Sequence, residues 1–212
     1  VKSNTIIVFD FETGSLDIEK CEVIQIAAKA INRKTLQPIN NAVFSSLVKP
    51  LDFNNLQEAA LAVNKKTKEE LSLAPTLDVV WGKFIDFIST FSSGKSNIMA
   101  PIPAGKNIRF FDMPIFQRIC CQLGYIEKDS VQPYFNRRNM FDLDEIMLLW
   151  FENSDDMPNM KMDTIRDHFG MSKANAHDAL VDVEQTADLI TYFLKLHRSI
   201  YPKVKFKDSF KK

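Results

Sequence analysis

Thr5-Ile6-Ile7-Val8-Phe9-Asp10-Phe11-Glu12-Thr13-Gly14 decides how this chain is read. An apolar, β-branched run ends abruptly in two acids, the pattern of a buried strand that delivers charge at its C-terminal end. Residues i and i+2 of a strand point to one face. Asp10 and Glu12 therefore project together, while Phe11 turns into the opposite layer. Carboxylates this close repel unless a cation or a proton sits between them, and α/β sheets place ligands at such strand ends. Alone, a D-x-E pair is common on solvated strand edges, so the rest of the chain has to supply its partners.

Working outward, Cys21 to Ile31 reads as a second strand and Ala42 to Val48 as a third, ended by Lys49-Pro50. Turn-like segments, Gly14 to Lys20 and Asn32 to Asn41, separate the three strands and imply an antiparallel meander. Asn97 to Ala104 is a fourth strand, which Pro101 and Pro103 demote to an edge or cut short. A short helix is expected over Thr67 to Leu73, closed by Ala74-Pro75. The clearest helix follows, with Leu77, Val80, Trp81, Phe84, Ile85 and Ile88 on one stripe and Thr76 as N-cap. Pro114 suits the first turn of a helix reaching Leu123, which puts Asp112 at its positive end. Helices at Leu143 to Phe151, Met162 to Phe169 and Ala179 to Leu196 complete the pattern, with Tyr125 to Met140 and Glu152 to Lys161 as loops. Strands first, then helices with one more strand, describe a single α/β domain with a mixed sheet. It is expected over residues 1–197, with 198–212 as a basic C-terminal tail.

Among 212 residues, 45% are hydrophobic and 25% charged, the balance of a soluble globular protein long enough to bury a core without staples. Cys21, Cys120 and Cys121 form no CxxC pattern, so they read as reduced core thiols, with no disulfide framework or zinc site. No apolar run is long enough to span a bilayer, and the N-terminus has no signal-peptide pattern. The expected location is cytoplasmic or nucleoid-associated. The first residue is Val1 and not methionine, so a few upstream residues are expected to have been trimmed or left out of this sequence. The formal net charge is zero, unlike a protein that coats nucleic acid. An enzyme that grips only a chain end needs few phosphate contacts.

Two later segments carry the missing partners. Gly105-Lys106-Asn107-Ile108-Arg109-Phe110-Phe111-Asp112 is a polar turn that follows a strand and brings Asp112 toward the end where Asp10 lies. His177 and Asp182 are five apart, about 140° around a continuous helix. They share a site more naturally if His177 lies in the loop before the helix and Asp182 on its inward face, with Asp178 as the cap. A histidine in a loop beside the carboxylates suits general-base work. Asp10, Glu12, Asp112 and Asp182 offer ligands for a pair of hard divalent cations, and His177 a proton acceptor. That is equipment for cutting a phosphodiester bond.

Together these segments resemble the DEDDh 3′–5′ exonucleases, which include polymerase proofreading exonucleases and RNase T-like enzymes. Asp10-Phe11-Glu12-Thr13-Gly14 is similar to the first motif and Asn107 to Asp112 to the second. His177-Asp178-Ala179-Leu180-Val181-Asp182, followed by Glu184-Gln185-Thr186-Ala187, is similar to the third in its histidine-bearing form. Leu61 to Thr67, running on to Ala74-Pro75-Thr76, and Phe141-Asp142-Leu143 resemble lesser family segments. The likeness runs from about Thr5 to Leu196.

The resemblance implies a ribonuclease H-like fold, a central mixed five-stranded sheet with helices on both faces. It implies two Mg²⁺ or Mn²⁺ ions on Asp10, Glu12, Asp112 and Asp182, with His177 as general base. The Thr13-Gly14 backbone would meet the terminal 3′-hydroxyl. Leu16, Phe110 and Asn64, with Phe11 and Asn107, would contact the last nucleotide. One departure stands out: many members have the asparagine four residues before the motif-two aspartate, and here Asn107 is five before Asp112, as in some RNA-directed members.

The expected activity is 3′–5′ hydrolysis of single-stranded nucleic acid, DNA ahead of RNA, to nucleoside 5′-monophosphates. The alternatives are an RNA-trimming or short-oligonucleotide exoribonuclease, and a catalytically silent binding module on the same fold. A third, a proofreading subunit that holds a polymerase, predicts an extra binding segment, for which the short tail is a poor candidate. Lys65, Lys66 and Lys68, and the loop Tyr134-Phe135-Asn136-Arg137-Arg138, mix charge with aromatics in a way that suits gripping a single strand.

Overall fold

In the computed structural model, which describes residues 3–94, 97–207 and 209, the opening run forms strand β1 over Thr5–Thr13, with every residue buried except Asp10, which is half-buried. Strands β2 (Val23–Asn32) and β3 (Pro38–Leu47) continue it as an antiparallel meander, and β4 (Ile102–Gly105) pairs parallel with β1. A two-residue β5, Phe141–Asp142, pairs parallel with β4, so the sheet order is β3-β2-β1-β4-β5. The helices are α1 (Glu58–Asn64), α2 (Lys68–Ser72), α3 (Leu77–Thr90), α4 (Asp112–Gln122), α5 (Leu143–Phe151), α6 (Met162–Phe169) and α7 (Ala179–Ile200).

The alternation of β1 sorts the molecule into layers. Ile7, Phe9 and Phe11 face one core, shared with Trp81 and Phe84 of α3 and Ile115 and Phe116 of α4. Ile6 and Val8 face the other, shared with Leu143 and Met147 of α5, Ile165 of α6 and Val183 and Ile190 of α7. Asp10 and Glu12 continue the even series, which carries them toward α7. Phe9 stacks on Phe135 at 5.0 Å between centroids and 10° between planes.

Several expectations change. β4 is cut to four residues, yet it is not an edge, because β5 lies outside it. Pro103 sits inside the ladder opposite Ile7. Helix α1 was not expected: seven residues with Gln57 as an N-cap that makes no side-chain bond carry neither a long period nor a start signal. Thr76 holds the N-cap position of α3 without a capping bond. Asp112 is the first residue of α4, and its N-cap is Phe111. Helix α7 runs past the expected boundary to Ile200, and the Arg198 guanidinium donates to the carbonyls of Lys34 and Arg33 at 2.7 and 2.6 Å. The start of the basic tail is thus part of the domain, while Lys211 and Lys212 lie outside the described residues. The loop read as a strand-gripping patch is mostly core. Phe135 is fully buried, and buried Asn136 accepts from the amides of Arg138 and Asn139, leaving exposed charge only at Arg137 and Arg138. The three cysteines are free thiols, Cys21 and Cys120 buried. Among the described residues no helix is long and apolar enough to cross a membrane.

Candidate active site

Each site residue reaches the end of β1 by a local device. Asp112 comes from the first turn of α4, and its Oδ1 accepts from the Phe11 amide at 3.0 Å, fastening α4 to the strand that carries Asp10 and Glu12. The preceding turn is shaped by Asn107, whose φ of 51° is left-handed, a conformation asparagine tolerates better than most residues. Its carbonyl accepts from the amides of Phe110 and Phe111, and Asp142 at the end of β5 accepts from the amides of Asn107 and Arg109 at 3.0 and 3.1 Å. Asn107 thus builds the turn with its backbone, and its side chain is exposed. Gly105 lets β4 pass close to β1: a Cβ there would stand 2.9 Å from the Phe9 carbonyl oxygen.

His177 lies in the turn before α7 with a φ of 67°. Asp178 caps the helix by accepting from the Leu180 amide at 3.0 Å. Its other oxygen accepts from Gln25 on β2 at 3.3 Å and faces Lys66 at 3.5 Å. The histidine's turn is thereby tied to the sheet and to the segment between α1 and α2. Asp182, on the first turn of α7, forms an ion pair with the fully buried Arg166 of α6.

The four carboxylates press on one another. Burial, then the charge of Asp182, pushes Asp10 up to about 7, with Lys106 and Arg166 opposing. Burial, then Asp10 and Asp182, pushes Glu12 up to about 9. Burial and the charge of Asp10 raise Asp112 well above the usual carboxylate range against the pull of the Phe11 amide. Burial raises Asp182 too, although Arg166 and His177 pull it down.

Beside them opens a pocket of about 420 Å³. Phe11, Glu12 and Thr13 line it from β1, Ala59, Ala60, Val63 and Asn64 from α1, with Ser15, Leu16, Gln57, Phe111 and His177 completing the wall. The expected contacts divide. Leu16 borders the pocket and is 84% exposed, an apolar side chain in water. Phe11 lines it but packs its ring against Trp81 and Phe84. Asn64 is buried and donates to the Thr13 carbonyl at 3.0 Å, while the Gly14 amide donates to the Glu22 carbonyl at 2.8 Å. These loop groups are already engaged within the protein. Phe110 is 70% exposed and stands outside the pocket, and its neighbour Phe111 takes that place. Pattern reading also missed the α1 wall, Lys106 and Arg166. Lys106 was legible only as part of a polar turn, and a lone arginine in a helix carries no signal of burial.

The donor set fits hard divalent cations: four oxygen-only side chains, buried or half-buried, with excess negative charge that a cation relieves. Among the described residues no group of three or more His, Cys, Asp or Glu side chains is arranged to hold a metal ion as it stands. Asp112 and Asp182 are instead each held by a protein donor, the Phe11 amide and Arg166.

The RNase T family model, described as "Exonuclease", matches residues 7–190. Among curated proteins the chain is 24% identical over 189 residues to the PolC-type DNA polymerase III of Clostridium perfringens (strain 13 / Type A), a match covering 89% of this chain and 11% of the polymerase. Among solved structures it resembles E. coli Exonuclease I in complex with a dT13 oligonucleotide, with a TM-score of 0.75 and 18% identity over 94% of this chain and 43% of that one. It also resembles cell-death related nuclease 4 (CRN-4), with a TM-score of 0.69 and 18% identity over 92% of this chain and 65% of that one. The structural likenesses are of fold, the ribonuclease H-like sheet with helices on both faces, and this chain spans only part of each relative. The family match runs from β1 into α7 and takes in all three segments that bear the carboxylates. The chain belongs to the RNase T family of exonucleases, the DEDD-type 3′–5′ exonucleases.

Proposed function

We propose that this chain removes nucleotides from the 3′ end of single-stranded nucleic acid, DNA ahead of RNA, releasing nucleoside 5′-monophosphates. Asp10, Glu12, Asp112 and Asp182 hold two Mg²⁺ or Mn²⁺ ions, and His177 is the general base. The observation that carries this reading is the convergence of four mutually repelling carboxylates, Glu12 and Asp112 buried and Asp10 and Asp182 half-buried, at the end of β1, beside a pocket that Glu12 and His177 both line. When bound, a pair of such ions supplies charge stabilisation at both oxygens of an in-line displacement.

The protein's own groups do the rest. His177, half-buried on a tethered turn, accepts the proton of the attacking water. Thr13, Ser15 and α1 line the pocket, which on this reading admits a terminal nucleotide and enforces attack from the chain end. Leu16 offers an exposed apolar surface for the last base, a contact indifferent to sequence. Asn64 acts one step back, by fixing the Thr13 carbonyl.

A time course on 5′-labelled single-stranded DNA and RNA of equal sequence, with Mg²⁺, Mn²⁺ or EDTA, tests the reading. A ladder that shortens from the 3′ end and stops in EDTA is expected, faster on DNA. A faster RNA ladder would move the substrate to the RNA-trimming class. No cleavage of either polymer or of di- and trinucleotides would make a binding module the better reading.

A further inference from the structure

Among the described residues Arg166 is the largest charged side chain fully withdrawn from solvent, and no motif includes it. Burying a guanidinium is costly unless every donor edge is answered. Here three nitrogens meet three acceptors on separate residues. Nε donates to Gln185 Oε1 at 2.8 Å, Nη1 to Asp163 Oδ1 at 2.9 Å, and Nη2 to Asp182 Oδ1. Gln185 then passes the connection on, its Nε2 donating to the Ser172 carbonyl at 2.7 Å in the loop that leads to His177. Two packed helices need only a shared apolar core, and Ile165 of α6 and Val183 of α7 already belong to one. A planar charged fork aimed at one site carboxylate does something an apolar contact cannot.

We propose that Arg166 is a positioning residue for the cation site. Its guanidinium holds Asp182 through Oδ1, leaving Oδ2 as the oxygen to ligate, and keeps Asp182 turned inward against the repulsion of Asp10 and Glu12. Through Gln185 and Ser172 the same group sets the start of the His177 loop. This deepens the reading of Asp10, Glu12, Asp112 and Asp182 as cation ligands and rests on it. Lysine does not replace arginine here, because one ammonium lacks the rigid fork that answers three acceptors.

The test is Mn²⁺ binding to wild type, Arg166→Lys and Gln185→Met, followed by the loss of the free-Mn²⁺ electron paramagnetic resonance signal. Circular dichroism melts establish the folded fraction. Groups that orient metal ligands typically contribute about 10–100-fold in metal affinity. Folded Arg166→Lys is therefore expected to bind Mn²⁺ at least about tenfold more weakly, with KM for oligonucleotide at saturating Mn²⁺ unchanged and turnover recovering as Mn²⁺ is raised. Gln185→Met, which leaves both aspartate partners of the arginine in place, is expected to shift affinity the same way by a smaller factor. If Arg166→Lys does not fold, Gln185→Met decides alone. Wild-type affinity in the folded variants would overturn the proposal and leave a purely structural clip. Tighter binding would also overturn it, showing that Arg166 competes with the cation. If wild type itself bound no Mn²⁺, the reading of the four carboxylates would fail, and this inference with it.

Discussion

At the residue scale, Asp10 and Glu12 set the electrostatics of the molecule. Their folded-state values, about 7 and about 9, lie above those of the unfolded chain, chiefly through burial and then through neighbouring carboxylates. The folded state therefore holds more protons than the unfolded state between about pH 4 and those values, and stability falls as pH rises through that window. Without divalent cations, the melting temperature is expected to drop steadily from pH 5 to pH 9. Asp10→Asn removes one of the repelling charges. It is expected to raise the metal-free melting temperature at pH 8 by about 2–4 °C per kcal/mol relieved, while abolishing cleavage. An unchanged rate would remove Asp10 from the cation site. His177→Ala is expected to lower turnover at least about a hundredfold, within the range of general-base losses. Mn²⁺ binding should be spared, and a collapse of Mn²⁺ affinity would make His177 a ligand instead of a base.

At the element scale, short connections decide whether the site assembles. Asp178 caps α7 and also reaches Gln25 and Lys66, so Asp178→Ala should cost about 0.5–2 kcal/mol as a lost N-cap. It should also lower activity beyond what stability explains, because the His177 turn loses its tether. Guanidinium denaturation alongside initial rates separates the two effects. Gly105→Ala places a methyl group against the Phe9 carbonyl, an approach that backbone cannot absorb cheaply. A loss of about 1–3 kcal/mol is expected, as for other overpacked positions. Cleavage should fall with it, since the turn after β4 is what brings Asp112 to the Phe11 amide. Wild-type stability would mean that β4 and β1 can part there without consequence.

At the scale of the whole molecule, the proposed cation site would make folding and cation binding one equilibrium. Mg²⁺ at a hundred times its dissociation constant should stabilise the fold by about 2.7 kcal/mol, and excess EDTA should reverse the shift. A melting temperature indifferent to both would argue against any cation at this site. Much of this molecule was legible from local pattern. The opening run and the stripe of α3 each rest on a period contained in one segment, and the three acidic segments follow in an order readable along the chain; together they lead to the mixed sheet and the exonuclease family. Short elements were not legible: α1 and β5 hold seven and two residues, too few for a period to show, yet α1 forms a wall of the pocket and β5 ends in the aspartate that shapes the Asn107 turn. Nor could pattern say which aromatic faces the pocket. Phe110 and Phe111 are adjacent and alike, and only the path of the turn puts Phe111 on the wall and Phe110 in water. Phe135, in a loop full of charge, reads as a surface ring until Phe9 is found stacked on it. Arg166 is the clearest case. Its burial and its hold on Asp182 arise from packing α6 against α7, a contact between residues sixteen apart that no single-segment period encodes.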